Sequence, residues 1–254
     1  MADRYQTEAL VIGVHNWGEA DKIVTLFTRE RGKTRAAAFG SRRPKSPLAA
    51  GMQMFRHVEV HILGGQRLDT VKQCVLLHPH RKLGEDLATM AYGSFVAEIV
   101  QEFFPEGTAD EGVFEMLLDV FSAFEARNPR VVALAAAWQI LACTGMQLQL
   151  ARCVHCGKEL LDDAVLSMEE GGALCGDCRV PDARPLPESG RQFLLALLGM
   201  DWKHPDIIVR RENLLMAEGF LLAYLQGLMG KPLKSLAFIR QLAQEGGQKS
   251  GLSR

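Results

Sequence analysis

The sequence predicts a multidomain α+β chain: an N-terminal five-stranded OB-fold β-barrel, then an all-α domain carrying a four-cysteine zinc-ribbon-like insert. Three observations predict it. Five short β-prone runs fill residues 1–80. Beyond Pro79 the apolar residues recur at helical steps. Two Cys-x2-Cys pairs then interrupt the helical part. The expected boundaries are 1–80 for the barrel, 81–150 and 182–254 for the two parts of the helical domain with its tail, and 151–181 for the insert.

The strands come first. Glu8 to Val14 and Lys22 to Thr28 are β-prone, and Lys33 to Phe39 follows a turn signal at Gly32. His57 to Ile62 alternates, so Val58, Val60 and Ile62 should face a core. Gly64-Gly65 reads as a turn before a last strand from Arg67 to Leu77. Five short strands in a segment of this length suit an OB-like barrel.

Leu83, Leu87, Ala91, Phe95, Ile99 and Phe103 then recur every four residues, one helical stripe that Pro105 and Gly107 stop. A second helix carries Val113, Leu117, Leu118, Phe121 and Phe124. Asn128-Pro129 breaks the chain, with Pro129 suited to the first turn of a third helix through Leu134, Trp138 and Leu141. After the insert, Glu188 to Leu198 and Glu212 to Met229 read as helices. Gly230-Lys231-Pro232 ends the latter, a short amphipathic piece spans Leu236 to Leu242, and the tail from Gly246 reads as frayed.

Cys153, Cys156, Cys175 and Cys178 are the sharpest local signal. Eighteen residues separate the pairs, a spacing that fits a four-thiolate zinc site. Two residues between thiolates let both sulfurs approach one tetrahedral ion at ~2.3 Å. Gly157 and Gly176 would permit the tight turns, and the segment between the pairs reads as a hairpin. A redox dithiol is the rival reading of Cys153-Val154-His155-Cys156, but no βαβ context surrounds it. Four thiolates fill the shell, so one structural zinc per chain is expected, with His155 a bystander. Cys74 and Cys143 read as buried small hydrophobes.

Between Arg29 and Lys45 lie Arg29, Arg31, Lys33, Arg35, Arg42, Arg43 and Lys45 against the single acid Glu30, a net +6. In a strand, Lys33, Arg35, Ala37 and Phe39 would share one face. Cations that track phosphates and a ring that stacks bases are what single-strand binders combine. Gly40 to Ser46 continues as a basic loop. These eight residues, Phe39 included, are the candidate DNA surface. Phe39, Trp17 and Phe27 read equally well as core.

No Walker loop, G-x-S-x-G, H-E-x-x-H or G-x-G-x-x-G after a strand is present, so no enzyme is expected. His78-Pro79-His80 reads as structural, and Asp162-Asp163 and Glu169-Glu170 as solvated turn acids. The 254 residues are 48% hydrophobic and 23% charged, which excludes a disordered or collagen-like chain. No apolar run approaches the roughly 20 residues of a membrane span, and the start, Met1 to Gln6, has no signal-peptide character. A cytosolic protein with no membrane partner is expected. Its net charge of −1 is a cancellation: residues 1–80 hold twelve Lys/Arg against seven Asp/Glu, while the remainder is net acidic.

Glu8-Ala9-Leu10-Val11-Ile12, Trp17-Gly18-Glu19-Ala20-Asp21-Lys22-Ile23-Val24, Leu26-Phe27-Thr28-Arg29-Glu30-Arg31-Gly32-Lys33 and Phe39-Gly40-Ser41-Arg42-Arg43-Pro44-Lys45-Ser46 resemble the opening of the RecO family of recombination-repair proteins. The order of parts is also similar, and Lys231 to Leu236 resembles the family's C-terminal region. Some relatives lack part of the cysteine set; this chain keeps all four. The resemblance implies a non-enzymatic, cytoplasmic, nucleoid-associated mediator. It would bind single- and double-stranded DNA, anneal complementary strands and, with RecR, help RecA load onto DNA coated by single-strand-binding protein (SSB). It also implies a pocket for the acidic SSB C-terminal tail, for which Arg127 and Arg130 are candidates. Arg152 and Lys158 beside the first knuckle read as solvated. The alternatives are an RNA-binding or ribosome-associated OB/zinc-ribbon protein and a metal-dependent enzyme.

Overall fold

A computed structural model describes residues 3–204 and 206–250, with the side chains of 243–250 excepted. Strands β1 (Arg4–Trp17), β2 (Asp21–Thr28), β3 (Gly32–Ala38), β4 (His57–Leu63) and β5 (Asp69–His78) close into a barrel in the order β1-β2-β3-β5-β4. Every pairing is antiparallel except β3 with β5, where Ala36 faces Asp69 and Ala37 faces Thr70. The interior is filled by small and branched side chains. Ala9 and Val11, Val24 and Leu26, Ala36 and Ala38, Val58, Val60 and Ile62, and Val71 point inward, with Leu48 and Met52 added from the β3–β4 connection. The expected alternation of β4 holds.

β1 is longer than the sequence indicated and is buried on both faces in its middle, since Leu10 and Ile12 are as inaccessible as Ala9 and Val11. A bulge makes this possible. Val11 pairs with Leu26 and Gly13 with Thr25, leaving Ile12 without a partner on β2. Its carbonyl accepts instead from Nε2 of Gln101, at 2.7 Å, so the ladder's lost bond is replaced by a side chain.

Gln101 belongs to the helical layer on this side of the barrel: α1 (Arg81–Glu85), α2 (Leu87–Phe103) and α3 (Glu111–Ala123). The single stripe expected from Leu83 to Phe103 is broken at Asp86, whose carboxylate caps α2 by accepting from the Thr89 N–H at 2.8 Å. The break turns Leu87 out to solvent, whereas Leu83, Ala91, Phe95 and Ile99 are buried as expected. Asp110 caps α3 in the same way. Aromatic edges lock helices to barrel: Phe27 meets Phe104 at 5.4 Å and Phe55 meets Phe121 at 5.8 Å. Phe27 is therefore core.

The last helix, α7 (Lys234–Ser250), packs on α2. It starts two residues earlier than expected and runs through Gly246, where fraying was expected; residues 251–254 lie outside the described residues. The Glu98 carboxylate on α2 accepts from the N–H groups of Lys234 at 2.9 Å and Ser235 at 2.8 Å, and from the Ser235 hydroxyl at 2.6 Å. An acid at the positive end of a helix dipole is a favourable cap. The barrel, α1–α3 and α7 form one compact unit, and Arg130–Pro232 a second.

The second unit contains nearly all of α4 (Pro129–Cys143), opened by Pro129 as expected and buried on every side from Val132 to Leu141. Its one buried amide, Gln139, donates to the carbonyls of Leu197 and Met200 and accepts from the Trp202 indole at 2.7 Å. Trp138 stacks on Tyr224 of α6 (Arg211–Met229) at 6.3 Å. α5 (Glu188–Leu198) completes the helices. Strands β6 (Ala164–Ser167), β7 (Gly172–Leu174) and β8 (Arg184–Leu186) form a sheet in the order β7-β6-β8. The expected hairpin is β6–β7; β8 is an addition. Among the described residues, no helix is long and apolar enough to cross a membrane.

Candidate nucleic-acid interface and metal centre

The seven cations between Arg29 and Lys45 fall into two groups. The first three, on the β2–β3 hairpin, are engaged by their own unit. Arg29 is held by three carboxylates, Glu8 at 3.2 Å, Glu111 at 3.2 Å and Glu115 at 2.5 Å, and its guanidinium lies 4.7 Å over the Phe114 ring. Hydrogen bonding to Glu115 raises its pKa further; burial opposes this, and the Glu8 hydrogen bond and the charges of both acids add to the rise. Arg31 pairs with Asp3 at 2.5 Å and lies 3.7 Å over the Tyr5 ring. Lys33 donates to the Gln101 carbonyl, and burial lowers its pKa despite Glu106 and Glu102 nearby.

The backbone shows why this hairpin is covered. Gly107 N–H donates to the Lys33 carbonyl at 2.9 Å. At Gly32, with φ +62°, a Cβ would stand 1.8 Å from the Thr108 carbonyl oxygen. The loop after α2 therefore lies against the hairpin, and only glycine admits it.

The second group is not engaged by carboxylates. Arg35, Arg42, Arg43 and Lys45 are exposed, and no salt bridge involves them among the described residues. The chain turns just after β3, with Gly40 at φ +66°, and is tied to the β1–β2 turn. Gly40 N–H donates to the Asp21 carboxylate at 2.7 Å, Arg42 N–H to the Ala20 carbonyl at 2.9 Å, and the Arg42 guanidinium to the Gly18 carbonyl at 2.9 Å. The Arg43 side chain passes over Gly40, its Cδ 3.8 Å from where a Cβ would stand. Lys22 is at the same end, donating to the Met52 carbonyl at 2.8 Å; burial and the Arg42 charge lower its pKa.

Ala36 and Ala38 point into the barrel, so Lys33, Arg35 and Ala37 share the other face, where Ala37 is buried; Phe39 lies one residue beyond β3. Phe39 meets Trp17 from the end of β1, ring centroids 5.9 Å apart and planes at 50°. Trp17 is 47% exposed and Phe39 51%. Trp17 was not among the expected site residues. Its signal was its place at the end of a strand before Gly18, across a turn from the basic loop. On the other flank, β5 begins beside Ala36, which puts the β4–β5 loop next to the strand carrying Arg35. The exposed rings at the ends of β1 and β3, Arg35 on β3, and Arg42 and Arg43 in the loop after it thus lie beside the β1–β2 turn and the β4–β5 loop, the part of the barrel that OB-folds use for oligonucleotides.

The four cysteines converge as expected. Their sulfurs all lie within 4.8 Å of one another, and Cys156 and Cys175 sulfurs are 3.8 Å apart. Sulfurs at ~2.3 Å from a tetrahedral ion would be about 3.8 Å apart, so the donor set fits a metal ion. Two reverse turns build it: Gly157 N–H donates to the Cys153 carbonyl at 2.9 Å, and Cys178 N–H to the Cys175 carbonyl at 3.1 Å. Gly157 has φ +72°, whereas Gly176 keeps an ordinary φ and its freedom is not needed. Burial pushes the Cys153 thiol up, but N–H donation from Cys156, Cys175 and His155 outweighs it and brings it down to about 6. The sulfurs of Cys175 and Cys156 hold the Cys178 proton, up to about 12. Sulfurs this crowded need a cation before all four ionise. His155 is occupied with Glu170 at 2.8 Å and stands outside the set.

Of the other residues weighed in the sequence, Cys143 is exposed and Cys74 half-buried, not fully buried as expected. His80 is buried and structural. Arg130 makes a two-point pair with Glu218.

Two family models match the chain: one described as Recombination protein O N terminal, over residues 1–80, and one as Recombination protein O C terminal, over residues 84–237. The chain is similar to the DNA repair protein RecO of Pelotomaculum thermopropionicum, 33% identical over 245 residues, which cover 94% of this chain and 95% of that protein. It is similar to the DNA repair protein RecO of a Nocardioides species, 35% identical over 245 residues, 93% and 99% of the two chains. The corresponding Bacillus cereus protein is 30% identical over 241 residues, 93% and 97%.

Proposed function

The chain belongs to the RecO family, and on that premise we propose that it is a non-enzymatic DNA-repair mediator that binds single strands on its barrel and anneals them. The observation that carries this reading is the exposed Trp17–Phe39 pair beside Arg42 and Arg43. Rings stack bases of any sequence, and guanidinium groups follow phosphates. Annealing needs no covalent step. Cations offset the repulsion between two phosphate backbones, and bases released from a bound protein pair by themselves. The same cations would meet the phosphates of a double strand.

The family resemblance supports the further steps. With RecR, the protein would help RecA load onto DNA coated by SSB, whose acidic C-terminal tail it would hold. These steps place it in the cytoplasm at the nucleoid. In the insert, Cys153, Cys156, Cys175 and Cys178 would hold one zinc ion. A zinc with four protein ligands is a cross-link, and the sulfurs leave no position for a water or substrate.

The test is annealing of complementary strands coated with SSB, with and without this protein. Acceleration by the full-length chain, lost when Trp17, Arg42 and Arg43 are replaced together, supports the reading. No acceleration, or a clear preference for RNA over DNA of one sequence, overturns it in favour of an RNA-binding role.

A further inference from the structure

The outer face of β1, β4 and β5, at the opposite end of β1 from Trp17, carries a groove of about 430 Å³ lined by Arg4, Gln6, His61, Leu63, Lys72 and Gln73. The register explains why these side chains meet. Arg4 is paired with Leu63, Gln6 with His61, and His61 with Gln73. Directly paired residues share a face, so the three strands present one row of polar groups.

Lys72 joins the row through a bulge. His61 faces Gln73 and Ile62 faces Val71, so Lys72 has no partner on β4. A bulge of this kind re-aims a side chain, and here Lys72 and its neighbour Gln73 both line the groove. The groove thus has a cation on each outer strand, an imidazole between them and no carboxylate in its lining. Its acidic limit is the next pair along, Glu8 with Glu59, and Glu8 is already held by Arg29 and His57.

We infer that this groove binds the sugar–phosphate backbone of a second nucleic-acid strand. The inference rests on the annealing role proposed above and deepens it. The rings in its lining are half-buried: the hydroxyl of Tyr5 donates to Asp69 at 2.9 Å and its face is covered by Arg31, so the groove has no open aromatic face like that of Trp17 and Phe39. A strand held here is gripped by phosphates alone, and its bases stay free to pair. The Trp17–Phe39 surface, by contrast, stacks bases. One barrel then holds one strand by its bases and another by its backbone. An acidic peptide would need apolar anchor sites; of the two aliphatic residues in the lining Ile62 is 2% exposed and belongs to the barrel core, which leaves Leu63.

The test titrates the full-length protein, at a mass fixed by sedimentation, with short thymidine oligomers carrying a donor or an acceptor dye. Wild type should take up two strands per chain and show energy transfer between them. Arg4→Ala with Lys72→Ala should take up one, with the affinity of the tighter equivalent unchanged. Lys72→Ala alone should make the log–log salt dependence of the weaker equivalent shallower by about 0.7. The replaced side chains are exposed, so the thermal midpoint should hold. Gln73→Glu, which removes no cation, should weaken the same equivalent. Two strands persisting in the double variant, or a wild type that binds only one, overturns the groove and leaves the first surface standing. Displacement of the second strand by polyglutamate, with the first retained, would assign the groove to an acidic protein instead. A wild type that binds no strand overturns the annealing role itself.

Discussion

Trp17 and Phe39 come from the ends of two strands that are not neighbours in the barrel, and their rings meet at 5.9 Å in the open. Exposed aromatic pairs are costly to leave in water, and single residues of this size usually go inside. Here the loop that carries Phe39 is fastened to the β1–β2 turn by three hydrogen bonds, so the ring cannot fold away.

Replacing either ring should therefore weaken single-strand binding without altering its salt dependence. Trp17→Ala or Phe39→Ala is expected to cost about 1–3 kcal/mol, roughly 5- to 150-fold in affinity. Anisotropy titrations at two salt concentrations check both halves of the statement. A steeper or shallower salt slope in the ring variants would mean that the rings support the cations rather than the bases.

The two groups of cations should separate in the same assay. Arg35→Ala, Arg42→Ala and Arg43→Ala together should flatten the slope by about 2, at about 0.7 per phosphate neutralised. Arg29→Ala should leave the slope alone and lower stability, because it strips Glu8, Glu111 and Glu115 of their shared partner. About 2 kcal/mol is expected for lost hydrogen bonds to charged groups. Denaturant midpoints and salt slopes on the two variants distinguish the roles.

Acid should destabilise the barrel unit before its carboxylates titrate. His80 is 2% exposed, and its Nδ1 lies 2.7 Å from the Phe55 carbonyl, so the ring is neutral and donates there. Burial pushes its pKa from 6.5 down to about 4. The unfolded chain binds the extra proton between those values, so stability is complete above pH 6.5 and falls as pH drops toward 4. The loss is about 3 kcal/mol at most. Burial lowers His57 in the same direction. His80 has φ +37°, which asparagine tolerates better than most residues. His80→Asn should thus flatten the stability profile across this window; an unchanged profile would clear His80.

Metal analysis should find one zinc per chain, and Cys153→Ser should lose it. A cobalt-substituted protein should show the absorption of tetrahedral thiolate coordination. Proteolysis of the metal-free protein should cut within the insert, because its two turns are tied to the sulfurs and its strands are three and four residues long. A protein that retains an intact insert after chelation would refute the cross-linking role.

Glu98→Ala should detach the start of α7. Three hydrogen bonds to one carboxylate are lost, and about 1–2 kcal/mol is expected from a removed cap. Hydrogen exchange of the Ser235 amide is the direct readout.

The barrel was legible because strand residues alternate and the interior takes one face of each. The four cysteines were legible because spacing alone fixes what two turns can bring together. The break at Asp86 was hidden by apolar residues that keep a four-residue step across it, so Leu87 was expected inside. The basic run was legible as charge but not as availability. What holds Arg29 lies 21, 82 and 86 residues away, and no local pattern announces such a partner. The groove of Arg4 and Lys72 was equally silent, since a bulge moves a side chain by register and leaves no mark in composition.

The clamp of Glu98 on Lys234 and Ser235 also has a consequence for synthesis. Its partners are separated by 136 and 137 residues, and the whole second unit is encoded between them. While the ribosome makes Arg130 to Pro232, the α2 surface destined for α7 is bare and its carboxylate has no helix to cap. The first unit therefore finishes last. A nascent chain stalled before Leu233 would present that surface to chaperones or to other chains, and the final helix is what withdraws it.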